Sequence, residues 1–195
     1  MASSVRPGPL TPKPLQVFIS SPDHTLMQFE TWSYRFADQV LNSKLALKNE
    51  LESVIHGVQL PTRTYLRPEL NRRFEKLFLD RGWQRQPRVF EDEDVEAEQT
   101  VPFTRIDFLK ERVGIEVAFS HESFIGLDVL KFQTLSYANL DKIDLGVYIC
   151  ATHALHKATG KAFKGSILFE KVQRYLPHFK SAIQVPIWLV GLLPS

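Results

Sequence analysis

Arg105-Ile-Asp-Phe-Leu-Lys-Glu-Arg-Val-Gly-Ile-Glu-Val-Ala-Phe119 is the stretch on which the fold turns. It predicts two strands, Thr104 to Leu109 and Val113 to Phe119, joined as a β-hairpin. If the chain reverses symmetrically about Glu111 and Arg112, Lys110 faces Val113 and Asp107 faces Glu116. Opposed residues on one face of a sheet hold their Cβ atoms about 4.5–5.5 Å apart. Two carboxylates that close repel unless a cation or a shared proton intervenes. Ile106, Phe108, Ile115 and Val117 alternate with them and are apolar, as a buried strand pair requires. Such a pair suits a hard divalent cation such as Mg²⁺, which takes oxygen ligands and keeps several waters. A cation of that kind polarises a phosphate and acidifies a water. On spacing alone, the same two acids serve equally as surface partners of Arg105, Lys110 and Arg112.

Around the hairpin the pattern alternates between helix and strand. Upstream, Leu15-Gln-Val-Phe-Ile-Ser reads as a short strand stopped at Ser21-Pro22, and a largely helical region follows. Leu47, Leu51, Val54, Ile55 and Val58 recur there at helical spacing, behind a cap at Asn42 or Ser43. Pro68 suits a first helical turn, Leu70, Phe74, Leu77 and Phe78 mark one face, and Gly82 is placed to end that helix. Its other face carries Arg72, Arg73 and Lys76. Trp83 to Phe90 reads as a strand, with an exposed acidic loop after it. Downstream, Phe124, Leu127, Leu130, Lys131, Leu135 and Ala138 predict a long helix. Asp144 to Cys150 reads as a buried strand, Ile167 to Leu176 as a helix ended by Pro177, and Val185 to Leu192 as a last apolar strand. This order predicts an α/β fold, a central mixed β-sheet flanked by helices.

Bulk properties limit the classes available. At 195 residues, with 44% apolar and 24% charged residues, the chain suits one soluble domain. Residues 1–14 hold four prolines and read as a disordered leader, leaving 15–195 as a single domain. No run approaches the ~18–20 apolar residues of a membrane span, the start lacks the apolar core of a signal peptide, and a cytoplasmic protein is expected. The single cysteine, Cys150, excludes an internal disulfide and a Cys-rich zinc site, and its apolar surroundings predict a buried, inert thiol. The net charge of +2 is mild, but its distribution is not. Arg63 to Arg88 holds eight Lys or Arg against three acids, and Glu91 to Glu98 holds six acids in eight residues. Segregation of this kind can build one basic surface on a nearly neutral protein; a solvated helix followed by a solvated loop gives the same pattern.

The segment Arg105–Phe119 resembles the core motif of the PD-(D/E)xK nucleases, with Asp107 as the first acid and Glu116-Val-Ala118 as the second half. More narrowly, it resembles the BglII/BstYI group of type II restriction endonucleases. Leu70-Asn-Arg-Arg-Phe-Glu-Lys-Leu-Phe-Leu-Asp-Arg-Gly-Trp83 is similar to the helix before their first core strand. Asp141-Lys-Ile-Asp-Leu-Gly-Val-Tyr-Ile149 and Gln184-Val-Pro-Ile-Trp-Leu-Val-Gly191 are similar as well. The likeness runs from about Leu66 to Gly191, and four matches in order are more specific than the motif alone. It implies a restriction-endonuclease-like fold and a homodimer that cuts double-stranded DNA at a short palindromic site with Mg²⁺. It also implies Asp107 and the Val117 backbone carbonyl as metal ligands, with Glu116 binding metal or orienting the attacking water.

The sequence departs from the motif at Ala118. Lysine stands there in the general motif, and Gln or Glu in the subgroup. Three residues are candidates to supply what a methyl group lacks: Lys131 from the following helix, Arg105 opposite Ala118 in the hairpin register, and His121 just beyond the strand. Each has a plain alternative, a surface charge for Lys131 and Arg105 and a loop residue for His121; Lys131, at the margin of its helix's apolar stripe, is the one expected to supply the charge as a catalytic residue beside Asp107 and Glu116. DNA contacts are expected from Arg72, Arg73, Lys76, Arg105 and His121. Gln133 and Tyr137 share a helical face in a spacing that also occurs in recombination-type nucleases, and packing explains them. Ala118 keeps open an alternative of another class, a DNA-binding module of this fold that has lost catalysis.

Overall fold

The computed structural model describes residues 26–61, 66–87, 105–137, 140–160 and 162–194. The expected leader, the Leu15–Ser20 strand and the acidic run at 91–98 lie outside them. Within them, six strands form one mixed sheet: β1 (Gln28–Tyr34), β2 (Gln84–Arg85), β3 (Phe108–Lys110), β4 (Val113–Val117), β5 (Leu145–Ala151) and β6 (Ile187–Leu193). Their order is β1-β6-β5-β4-β3-β2. The centre, β4-β5-β6, is parallel, and β1, β3 and β2 add in antiparallel fashion at its two sides.

Both faces of this sheet are covered, which is why β5 reads as an unbroken apolar run rather than an alternation. On one face α1 (Ala37–Asn42), α2 (Leu45–Gly57) and α3 (Leu66–Leu79) bury Leu51, Ile55, Leu70, Phe74 and Phe78 against Val113, Ile115, Val147 and Ile149. On the other, α4 (Ile125–Ser136) and α6 (Phe169–Tyr175) bury Phe132, Leu135 and Val172 against Tyr148, Cys150 and Leu189. A short helix, α5 (His153–Ala158), follows β5, with the Thr152 hydroxyl accepting the Leu155 N–H as its cap.

Several expectations need correction. Gln28–Tyr34 is a strand, not part of a helical region. Its Phe, Thr, Trp and Tyr suit an edge strand, but its partner β6 lies at the far end of the sequence. The strand expected over Trp83–Phe90 is confined, among the described residues, to Gln84–Arg85. The α2 helix begins after Lys44, with neither Asn42 nor Ser43 as a side-chain cap. The helix expected over Ile167–Leu176 is Phe169–Tyr175 and does stop before Pro177, although the chain continues there as a 3₁₀ turn, Leu176–Phe179. Gly82, with φ +76°, does end the α3 segment in the left-handed conformation that glycine tolerates.

The α4 helix is rotated from its expected setting. Ile125, Asp128, Val129, Lys131, Phe132 and Leu135 are buried, while Phe124 and Leu130 are exposed. Gly146 makes this seating possible. A Cβ there would fall 2.7 Å from the Phe132 ring, so only glycine lets α4 lie this close to β5. The helix therefore turns Asp128 and Lys131 toward the sheet.

Candidate active site

The β3–β4 hairpin has the expected register, with Lys110 opposite Val113 and Phe108 opposite Ile115. The ladder stops there, so Asp107 is not a ladder partner of Glu116. It sits in a bend, its N–H donating to the Ile115 carbonyl at 3.1 Å and its own carbonyl accepting the Gln86 N–H at 2.8 Å. The bend breaks strand alternation. Ile106 packs with the α4 layer, while Phe108 packs with the α3 layer. Between them the Asp107 side chain reaches forward, and its Oδ2 accepts the Val117 N–H at 2.8 Å. In an extended strand the N–H and C=O of one residue point to the same edge, so the Val117 carbonyl faces the Asp107 side too.

Glu116 is buried, 5% exposed, and points into the layer between β4 and α4. Its Oε1 accepts from Lys131 Nζ at 2.8 Å. The same ammonium lies 3.1 Å from Asp128 Oδ1, and the Tyr148 hydroxyl donates to Asp128 Oδ2 at 2.8 Å. Two carboxylates, a lysine and a phenol thus converge under α4, with the Asp107 carboxylate at the neighbouring bend. Ala118 is buried on the same side, in the α4 layer.

The electrostatics follow from burial and from an excess of acid. Burial pushes the Glu116 carboxyl well above its ordinary value, with Asp107 and Asp128 pushing the same way and Lys131 opposing them. Burial also raises the Asp107 carboxyl, against the Val117 N–H and Lys131, and Glu116 is near enough to hydrogen-bond it. For Lys131 burial acts downward, but Glu116 and Asp128 outweigh it and the ammonium is held charged above its usual range. The phenol of Tyr148 is driven up by burial and by Asp128.

These residues fit a hard divalent cation. Asp107, Glu116 and the Val117 carbonyl offer oxygen donors, and one lysine leaves the cluster's negative charge incompletely balanced. Among the described residues no group of three or more His, Cys, Asp or Glu stands ready to hold a metal by side chains alone. Two carboxylates plus waters is the usual protein share for Mg²⁺. A cleft beside Asp107 and Val117 is lined also by Asn71, Glu75, Arg85 and Gln86. Its α3 wall is Asn71 and Glu75, the latter paired to Arg85 at 2.7 Å.

The other expected site residues lie farther out. Arg105 is exposed, on the stretch that leads into Asp107. His121 is exposed, with Nδ1 3.0 Å from the Ser123 hydroxyl, at a bridge to Ser166. Lys110 turns away to Glu50, at 2.9 Å, and to the Arg81 carbonyl. Arg72 and Arg73 both clamp Glu69, holding its carboxyl down at about 2, and Lys76 is exposed on the same helix. Gln133 packs as expected, its Oε1 accepting the Gln184 and Val185 N–H groups, and Tyr137 is 66% exposed. The Cys150 thiol is fully buried and its ionisation is pushed far up by burial. Two residues escaped the sequence reading. Glu75 resembles any helix-surface acid. Asp128 carried a usable signal, for it lies on the stripe Ile125, Val129, Phe132, Leu135, and an acid centred in an apolar stripe needs a partner.

Comparisons with known proteins converge on one family. Residues 29–192 match the family of the restriction endonuclease BglII/BglIII. Among solved structures, the chain is similar to the crystal structure of restriction endonuclease BglII complexed with a DNA 16-mer. The TM-score is 0.69 at 20% identity, over 87% of this chain and 78% of that one. No curated protein matches the chain significantly. Among the described residues, no helix is long and apolar enough to cross a membrane.

Proposed function

The chain belongs to the BglII/BglIII family of restriction endonucleases and is a type II enzyme by that membership, and from this premise we propose that it cleaves double-stranded DNA at a short palindromic site with Mg²⁺, as a homodimer in the cytoplasm. The observation that carries the reading is the convergence of Asp107, Glu116 and Lys131 at the end of the β3–β4 hairpin. In this reading Asp107, Glu116 and the Val117 carbonyl hold the cation. When bound, the cation supplies Lewis acidity toward the phosphate and toward a water. Asp107 is held in place by the Val117 N–H, so its free oxygen is oriented before anything binds. Lys131 takes the part of the side chain that Ala118 lacks, with its ammonium stabilising charge that develops on the phosphate. Burial in a low-dielectric layer strengthens that interaction relative to water.

DNA is held in this reading by Arg72, Arg73 and Lys76 on α3, and by Arg105 and His121 beside the cleft. Arg72 and Arg73 already share Glu69, so a phosphate must compete for them or the pair must open. Contacts to phosphate make binding salt-dependent, and a few side chains at base edges read the sequence. The homodimer follows from the palindrome, since a two-fold protein reads the same half-site twice.

The decisive experiment is incubation with genomic DNA, modified and unmodified, in Mg²⁺, Mn²⁺ or EDTA, with the fragment ends sequenced. Discrete metal-dependent fragments are expected. Ala118 favours one second reading, a binding module without turnover, and intact DNA in both metals together with specific retardation of DNA would establish it.

A further inference from the structure

Lys131 has two carboxylate partners, and only one of them belongs to the hairpin motif. Its Nζ is 2.8 Å from Glu116 and 3.1 Å from Asp128, and all three side chains are 7–8% exposed. The second partner is itself fixed. Tyr148, fully buried on β5, donates to Asp128 Oδ2 and leaves Oδ1 to the lysine. Tyr148 is also the register partner of Glu116 across β4 and β5. Adjacent strands and one helical turn therefore anchor both acceptors of a single ammonium.

From this arrangement we propose that Asp128 is a positioning residue, keeping the Lys131 ammonium in the site when Glu116 is given up to the divalent cation. The inference rests on the nuclease reading above. An ammonium with Glu116 as its sole partner competes with the cation for that carboxylate, and a cation that wins sets the lysine loose. Asp128 removes the conflict. The ammonium loses one of its two bonds and keeps the other, so it remains beside the hairpin while Glu116 turns away. Asp128 thus links metal affinity to lysine placement, and the link passes through Lys131. A carboxylate that acted only as one more negative charge, or only as an anchor for Tyr148, would have no such dependence.

The test is a double-mutant cycle in Mn²⁺ affinity, measured by calorimetry on the full chain, with circular dichroism confirming that each variant is folded. Asp128→Asn is expected to weaken Mn²⁺ binding about tenfold when Lys131 is present, the scale of one hydrogen bond to a charged group. In a Lys131→Met background the same change is expected to matter less than about threefold. Lys131→Met alone tightens Mn²⁺ by removing its competitor, and Asp128→Glu restores much of what Asp128→Asn loses. Single-turnover cleavage by Asp128→Asn stays depressed at saturating Mn²⁺, because its lysine is no longer held. If Asp128→Asn does not fold, Tyr148→Phe carries the same cycle with a smaller effect of the same sign. Equal weakening in the two backgrounds, or none in either, overturns the proposal and leaves the nuclease reading standing if the wild type cuts DNA. A wild type that neither cuts nor binds Mn²⁺ through Asp107 removes both.

Discussion

The Phe132 ring of α4 lies on the bare backbone of Gly146 in β5, so close that a Cβ at residue 146 would fall 2.7 Å from it. This contact sets the depth of the helix that carries Asp128 and Lys131, one residue before Phe132. The lysine is therefore placed by a glycine on a neighbouring strand, and packing and chemistry are joined at one point.

Gly146→Ala should accordingly be felt twice. Overpacking of a tight core costs about 1–3 kcal/mol, seen as a lower thermal midpoint. Because α4 must lift to relieve the clash, Lys131 moves off Glu116, and single-turnover cleavage should fall by more than the stability loss explains. Measuring cleavage well below the midpoint separates the two. An unchanged chemical step in a folded variant would mean that Lys131 adjusts independently of its helix.

Asp107→Asn should abolish cutting while DNA binding survives or tightens, since it removes a proposed ligand and also a charge near the phosphates. It should, in addition, stabilise the metal-free protein. Burial raises the Asp107 carboxyl above its unfolded value, so the folded state binds this proton more tightly than the unfolded state does. Stability from this group is then fully present below about pH 4 and is lost as pH rises through the raised value. The gain in melting temperature from the asparagine should therefore grow from acid to neutral pH. A variant that still cuts at near the normal rate would show that the ligand assignment is wrong.

Local pattern made much of this legible. The hairpin register, β5, β6 and the α3 face follow from alternation, apolar runs and helical spacing, each decided by residues close in sequence. What stayed hidden depends on distant partners. Gln28–Tyr34 is a strand because β6 pairs with it. In α4, Phe124 and Leu130 looked like a buried face, yet the sheet receives Ile125, Val129 and Phe132, and with them Asp128 and Lys131. The polar pair is buried because Glu116 and Tyr148 wait there; helical spacing hints at this only through Asp128 in the apolar stripe and Lys131 at its margin, and it does not name the partners. Asp107 was legible as a residue but not as a bend, since the break in alternation appears only when Ile106 and Phe108 are seen in opposite layers.

A homodimer is expected in solution. Leu130 on α4 and Tyr137, seven residues on, are 43% and 66% exposed, and the helical region before Leu60, where Phe36 and Leu45 are 71% and 59% exposed, is the alternative interface. Exposed apolar groups in one neighbourhood suit a two-fold contact, where one patch serves both subunits. Sedimentation with and without DNA should show the dimer, and Leu130→Glu should shift it toward monomer with circular dichroism unchanged. Monomer alone under both conditions would count heavily against a palindromic site read by two copies.

The last expectation decides which residue stands in for the missing side chain at Ala118. By sequence Lys131, on the next helix, is the residue expected to supply the charge, with Arg105 on the opposing strand as its rival. Their environments differ. Lys131 is 7% exposed and bonded to Glu116, whereas Arg105 is exposed to solvent. A charge fixed in a dry layer acts strongly on a neighbouring phosphate, while a solvated one is screened. Removing a single preorganised donor elsewhere costs roughly 2.7–4 kcal/mol in the transition state. Lys131→Ala and Lys131→Met should therefore slow single-turnover cleavage about a hundredfold or more at saturating enzyme and metal. Arg105→Ala should leave the chemical step nearly unchanged and weaken DNA binding, with a smaller salt slope. Stability must be followed in parallel, because loss of the ammonium leaves buried acids without their counter-ion at a cost of about 3–5 kcal/mol. Mn²⁺ should recover part of that loss by supplying positive charge to the same carboxylates. If only Arg105→Ala is impaired in the chemical step, the opposing strand supplies the charge and Lys131 serves the fold.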